Sequence, residues 1–411
     1  MLFVFEAVLF LIVYLKYLKT KTVLNPVVSF GVVYLIAVPL IFVLHFFTDL
    51  YVVSYTNMLF TLSFFFLIYI ADTCSVFFVS CKENVSVNNY KNSVISAQKI
   101  IFFIFLCSLI CKVINFVQVL QIRGITNMKR GEFGIFANLG FFAQILTPYI
   151  LLIAIEKKKI LYFLLIFVEL GIITMFQLKG TLLIIIVQSV FFVLLFKTKI
   201  TINSLLKIGI KLLLISLIVF LLLYSVLPNL INASSTRTLD MAFQEFVHYG
   251  TCPFLCSNEF YLTPEGNVYE NGMRVIFNPI IALYEAISGN RNFPDTIIHY
   301  WPMMSKTRPA NVGGIFSETV YQVGYLGAFL YIFFLLFTIA FVFYVYKKQK
   351  RYLWSCAYLL SLWSLCFFGN YFASSTPFQL FVYGLIFEFL LQNKKIFRYI
   401  FKYKCIRGIN I

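Results

Sequence analysis

From Gly313 to Arg351 the chain reads GGIFSETVYQVGYLGAFLYIFFLLFTIAFVFYVYKKQKR. After Glu318 no charged residue appears until Lys347, and then four cations (Lys347, Lys348, Lys350 and Arg351) follow in quick succession. About 20 apolar residues in a helix rising about 1.5 Å per residue cross the hydrocarbon core of a bilayer, and this run exceeds that length. A water-facing helix keeps one polar stripe, and this one has none. The stretch therefore predicts a helix that enters a membrane near Gly314 and leaves it at the lysine cluster.

The same pattern repeats along the chain. Of its 411 residues 61% are hydrophobic and only 12% charged, and the mean hydropathy is +0.90, outside the range of a water-soluble domain. About eleven spans are expected, at 1–18, 26–47, 55–78, 99–121, 138–155, 160–177, 180–196, 206–227, 314–346, 352–369 and 376–391. The predicted fold class is an all-α polytopic membrane protein, a single membrane domain over 1–411 with one large loop, 228–313, before the ninth span. The first segment has no basic n-region, its first cation being Lys16, so it reads as a retained helix and not a cleaved signal.

Orientation follows from the cations, because short loops rich in Lys and Arg stay in the cytoplasm. With the N-terminus periplasmic and the C-terminus cytoplasmic, the inner segments carry Lys16/Lys19/Lys21, Lys82/Lys91/Lys99, Lys157–Lys159, Lys197–Lys211, Lys347–Arg351 and the tail from Lys394. Much of the net charge of +17 is then topological, and no nucleic-acid partner is called for. The nine cysteines form no metal pattern; only Cys252 and Cys256 fall in the outer loop, where a local disulfide is an open alternative.

Under this topology 20 of 24 lysines lie inside, whereas six of nine arginines, Arg123, Arg130, Arg237, Arg274, Arg291 and Arg308, lie outside. The positive-inside rule does not produce that split. A permanently charged, planar, bidentate donor suits phosphate, so the outer face reads as a site for an anion. The competing reading pairs Arg237 and Arg274 with acids of the same loop. Arg123, Arg130, Arg291 and Arg308 stand closer to the expected membrane boundary, where a lipid-linked phosphate would sit.

The loop 228–313 is too long for a simple connection, and stretches such as FNPIIALYEAISG predict short amphipathic helices along the membrane surface. Its segment NRNFPDTIIHYWPMMSKTRPAN gathers Arg291, Asp295, His299, Tyr300, Trp301, Lys306 and Arg308. Tyr300 and Trp301 read first as an aromatic membrane belt, a role compatible with stacking against sugar rings. His299, with His248, Asp295 and Glu318 as alternatives, is a candidate general base, while His45 in an apolar run reads as packing. Within spans, Lys112 and Glu169 form a candidate ion pair and Asp72 lies towards an inner end. Lys179 and Gly180 head a middle span, a place where a helix N-terminus favours an anion.

Three features together resemble the bacterial O-antigen polymerase family: the span count with one large late outer loop, the Lys179–Gly180–Thr181 head of a middle span, and ANVGGIFSETVYQVGYLGAFL opening the span after the loop. The resemblance implies an inner-membrane glycosyltransferase that moves a growing glycan from undecaprenyl diphosphate to a hydroxyl of the next lipid-linked repeat at the periplasmic face. It implies no metal, nucleotide sugar or other cofactor. Its partners would be the donor and acceptor oligosaccharides on their carrier, membrane lipids and a chain-length regulator. On that reading Arg123, Arg130, Arg291 and Arg308 hold the diphosphate, helped by Lys179; His299 or Glu318 is the base; and Arg274, Tyr300 and Trp301 contact the substrate. The alternatives are an O-antigen ligase, a flippase of lipid-linked oligosaccharide and a structural membrane subunit.

Overall fold

The computed structural model describes residues 1–79, 94, 96–123, 134–176, 178–196, 239–262, 275, 277–282, 284–285, 288, 302–306, 309–310 and 313–393. Among them the chain is helical throughout, with only isolated bridges pairing Leu50 with Ser305 and Met303 with Pro309. The helices are α1 (Leu2–Thr20), α2 (Pro26–His45), α3 (Tyr55–Phe78), α4 (Gln98–Arg123), α5 (Gly134–Lys157), α6 (Ile160–Met175), α7 (Lys179–Phe196), α8 (Leu239–Phe260), α9 (Ile315–Gln349), α10 (Leu353–Leu365) and α11 (Ser375–Gln392). Two 3-10 turns, Cys366–Phe368 and Tyr371–Ala373, lie between α10 and α11.

Ten of the predicted spans fall on these helices, and the one at 206–227 lies outside the described residues. Helices α2, α3, α4, α5 and α9 are long and apolar enough to cross a bilayer. The chain is thus a helical membrane protein. Helices α6, α7 and α10 are equally apolar but shorter.

The chain divides into two compact units. The first comprises Met1–Ser80, Phe243–Tyr344 and Leu359–Gln379. Its core is aromatic: Phe64 stacks on Phe316 at 4.6 Å, Phe30 meets Trp363 at 4.6 Å, and Tyr34 packs edge-on to Phe65 and Phe367. Buried rings need their polar tips satisfied, and the Trp363 indole N–H donates to the Pro26 carbonyl at 3.0 Å. Asn25 caps α2 by accepting from the Val27 and Val28 amides, with Pro26 in the first turn where no N–H is required.

The side-chain nitrogen of Asn25 also donates to Asp72 at 2.9 Å, and Asp72 further accepts from Tyr344 at 3.0 Å and pairs with Lys16. This closed network gives the buried Asp72 carboxylate the compensation that a charge needs away from water.

In the loop expected to hold short helices, the described residues of FNPIIALYEAISG (277–282, 284–285 and 288) are helical, and α8, to which sequence reading assigned no helix, is a long helix whose second half is interior to this unit. Thr251 to Ser257 are buried, Phe254 lies against Phe5 and Tyr34, and Asn57 donates to the Phe254 carbonyl at 2.7 Å and to the Asn258 side chain at 3.0 Å.

The second unit comprises Cys81–Ala242, Val345–Tyr358 and Leu380–Ile411. Helix α5 is its interior element, buried over most of Phe141–Ala154. Gly140 lets Lys112 of α4 lie directly on α5, since an added Cβ would meet the Lys112 Cβ at 3.3 Å. The N-terminus of α10 is capped from α11: Glu388 accepts from the amides of Trp354 at 2.7 Å and Ser355 at 3.0 Å, and from the Ser355 hydroxyl at 2.7 Å. A buried carboxylate at the positive end of a helix is stabilised by free amides and dipole together. Gly384 gives Trp354 room to lie against α11.

Lys21 and Lys350 take left-handed backbone conformations (φ 52° and 53°) just past the ends of α1 and α9, and Lys158 (φ 53°) does so after α5. The first two close their helices by donating to Tyr17 and Tyr346 carbonyls at 2.7 Å.

Candidate functional site

The stretch that decides the class also carries the most chemically loaded group described in the first unit. Gly314 starts α9 by accepting from the Glu318 amide at 3.0 Å, and its own N–H donates to the Pro253 carbonyl of α8 at 3.3 Å. One turn on, the Glu318 side chain folds back: Oε1 accepts from the Gly313 amide at 2.9 Å and Oε2 from the Asn370 amide at 3.1 Å. A Cβ at Gly313 would lie 2.7 Å from the Glu318 Cγ, so glycine is required for this fold-back. Among the described residues no cation pairs with the carboxylate, which is partly buried.

Asn370 belongs to the turn FFGNYF, Phe367–Phe372, between α10 and α11. Gly369 precedes it at φ 147°, ψ 167°, a conformation essentially restricted to glycine, and a Cβ there would stand 3.8 Å from the Glu318 Oε1 and from the Gly313 carbonyl. Asn370 Oδ1 accepts from the Tyr331 hydroxyl at 3.2 Å, and Asn278 donates to the Ala373 carbonyl. Burial, followed by the nearby Cys366 thiol and Glu318 carboxylate, pushes the Tyr371 hydroxyl above the usual phenol range, keeping it a proton donor. Gly324 (φ 70°, ψ 176°) breaks α9 two turns past Glu318, again in glycine-only backbone space. The fold-back Gly313 and the glycine-only Gly369 therefore stand against a single carboxylate, and the Gly324 break follows further along α9.

Of the catalytic and substrate-binding residues that the resemblance implies, Glu318 is the one whose side chain is described. Arg123 closes α4 and Lys179 opens α7, both in the second unit and described as backbone. Arg130, Arg274, Arg291, His299, Tyr300, Trp301 and Arg308 lie outside the described residues, as do Arg237 and Asp295. His248 is buried in α8, and His45 shares a hydrogen bond of 2.6 Å with the Leu50 carbonyl, in keeping with a packing role. Lys112 and Glu169 do stand together, Nζ to Oε1 at 3.5 Å. Cys252 and Cys256 are buried on successive turns of α8 and are not bridged, against the disulfide alternative.

Sequence reasoning passed over Gly369 and Asn370. The available signal was a Gly-Asn pair between the last two apolar runs, a mark of a turn with unusual backbone angles. It also gave Asp72 no partner, although Lys16 and Asn25 both meet it. Compared with models of protein families, with curated proteins and with solved structures, the chain matches none.

Proposed function

We propose that this protein is a polymerase of the O-antigen type, extending a surface glycan at the periplasmic face of the bacterial inner membrane. The observation that carries the reading is the Glu318 carboxylate, held by two backbone N–H groups and no described cation at the head of an apolar, glycine-broken helix. Each carboxylate oxygen accepts one such bond and keeps lone-pair capacity for an incoming hydroxyl proton. A carboxylate positioned by backbone suits general-base work better than one locked in an ion pair.

In the proposed reaction the acceptor hydroxyl oxygen bonds to the anomeric carbon of the donor glycan. The bond from that carbon to the undecaprenyl diphosphate oxygen breaks with its electron pair going to the diphosphate, and the hydroxyl proton goes to Glu318 or His299. Arg291 and Arg308 balance the charge developing on the diphosphate, as fixed cationic donors do for other transferred phosphates. Arg274, Tyr300 and Trp301 contact the sugars.

The test is the lipopolysaccharide ladder of a deletion strain complemented with Glu318→Gln, Glu318→Ala or the pair Arg291→Ala/Arg308→Ala. A polymerase leaves single repeats on the core when it fails; a ligase leaves the core bare. A normal ladder from Glu318→Ala removes that residue from the reaction, and a normal ladder with both arginines changed removes the diphosphate assignment.

The break in α9 at Gly324 favours one second reading, a flippase, since discontinuous helices line substrate paths in transporters. Loss of a flippase strands the lipid-linked repeat on the cytoplasmic leaflet, whereas loss of a polymerase leaves it on the periplasmic one. Protection of the repeat from an added glycosidase in spheroplasts separates the two.

A further inference from the structure

Among the described residues of the second unit, several buried polar side-chain atoms have no hydrogen-bond partner. Both amide atoms of Gln144, Gln188 Nε2 and Ser189 Oγ are solvent-inaccessible and without a hydrogen bond, and Lys112 Nζ and Glu169 Oε1, equally buried, meet as an ion pair at 3.5 Å. None of these side chains is more than 4% exposed. Buried polar groups are nearly always satisfied, and each one that is not costs about 1–3 kcal/mol.

These atoms form a seam. On α5, Gly140, Gln144 and Thr147 share one face by their spacing. Lys112 lies on that face at Gly140, and Thr147 donates to Glu169 Oε2 while Glu169 Oε1 faces Lys112 at 3.5 Å. Gln144 stands between the two contacts along the helix. It also lines a cavity of about 10 Å³ together with Thr181, Ile184, Ile185 and Gln188 of α7, Trp354 and Tyr358 of α10, and Leu380.

The unmet atoms specify the chemistry of an occupant. Gln144 Nε2 and Gln188 Nε2 need an acceptor, whereas Gln144 Oε1 needs a donor. A metal cation serves only the second set and is repelled by Lys112. An anion serves only the first set, and an apolar group serves neither. A hydroxylic ligand serves both, and a cavity of this size has room for about one water.

We propose that the interior of this unit is a hydration site, in which water bridges Gln144 and Gln188 beside the Lys112–Glu169 pair. The site supplies that pair with a polar neighbour inside the apolar helices, independently of any reading of the Glu318 region.

Hydroxyl-radical footprinting of the full-length protein in lipid nanodiscs tests this, because radicals generated from a bound water label the side chain next to it. Trp354 and Tyr358 are at most 1% exposed, as is Trp363, which lies in the first unit and serves as the buried control. Trp354 and Tyr358 are expected to label several-fold faster than Trp363 in the unaltered protein. In the double variant Gln144→Leu/Gln188→Leu, which removes the amides and fills the space, their rates fall to the control level. Equal labelling of Trp354, Tyr358 and Trp363 in the unaltered protein overturns the proposal, as does fast labelling that persists in a folded double variant.

Discussion

At Gly324 and Gly369 the backbone occupies a region in which any Cβ is strained. Gly324→Ala and Gly369→Ala are each expected to destabilise the protein by about 1–3 kcal/mol, read as a lowered midpoint of thermal unfolding in detergent. Gly171→Ala, within α6 and with nothing near its absent Cβ, should leave the midpoint unchanged or raise it. Lys112 and Glu169 give a second residue-level test. Removing one partner of a buried ion pair costs about 3–5 kcal/mol because the other charge is left uncompensated. Lys112→Met or Glu169→Leu alone should therefore lower stability sharply, while the two together restore most of it. Failure of the double change to rescue would show that the charges serve something other than each other.

Among the elements, α10 owes its start to a side chain on another helix. Glu388→Ala frees the Trp354 and Ser355 amides in an apolar setting and should cost at least the ~1 kcal/mol of an ordinary cap, checked by the same unfolding midpoint. Glu388→Gln, which keeps one acceptor, should cost less. The positions of the helices were legible in sequence because lipid imposes composition: a backbone with no water to bond to must be helical, and its side chains must be apolar. Helix α8 was not placed by the sequence reading, for the converse reason. Its segment carries too many polar residues, such as Gln244, Glu245 and His248, to stand out as a span, and nothing local indicated that Cys252, Phe254 and Cys256 are enclosed by other elements. Within the candidate site, Glu318 was legible as an acid out of place in an apolar helix. Its clasp was not, because Asn370 lies 52 residues further along the chain.

For the molecule as a whole, the predicted orientation rests on charge and is open to direct measurement. In a variant lacking native cysteines, Met128→Cys should react with a membrane-impermeant maleimide added to intact cells, and Lys159→Cys should react only after lysis. The reverse pattern would invert the topology and move the proposed reaction to the wrong side for a lipid-linked periplasmic donor. The lysines that end α1, α5 and α9 link this orientation to the folded state. Helix ends in the left-handed conformation ordinarily employ glycine, and a side chain there costs about 1–2 kcal/mol. Lys21, Lys158 and Lys350 sit at such positions, all in segments assigned to the cytoplasm. Replacing the three by glycine should make the finished protein harder to melt while making newly made chains insert in mixed orientations. The chain thus holds a reserve of thermal resistance that it cannot use without confusing its own biogenesis.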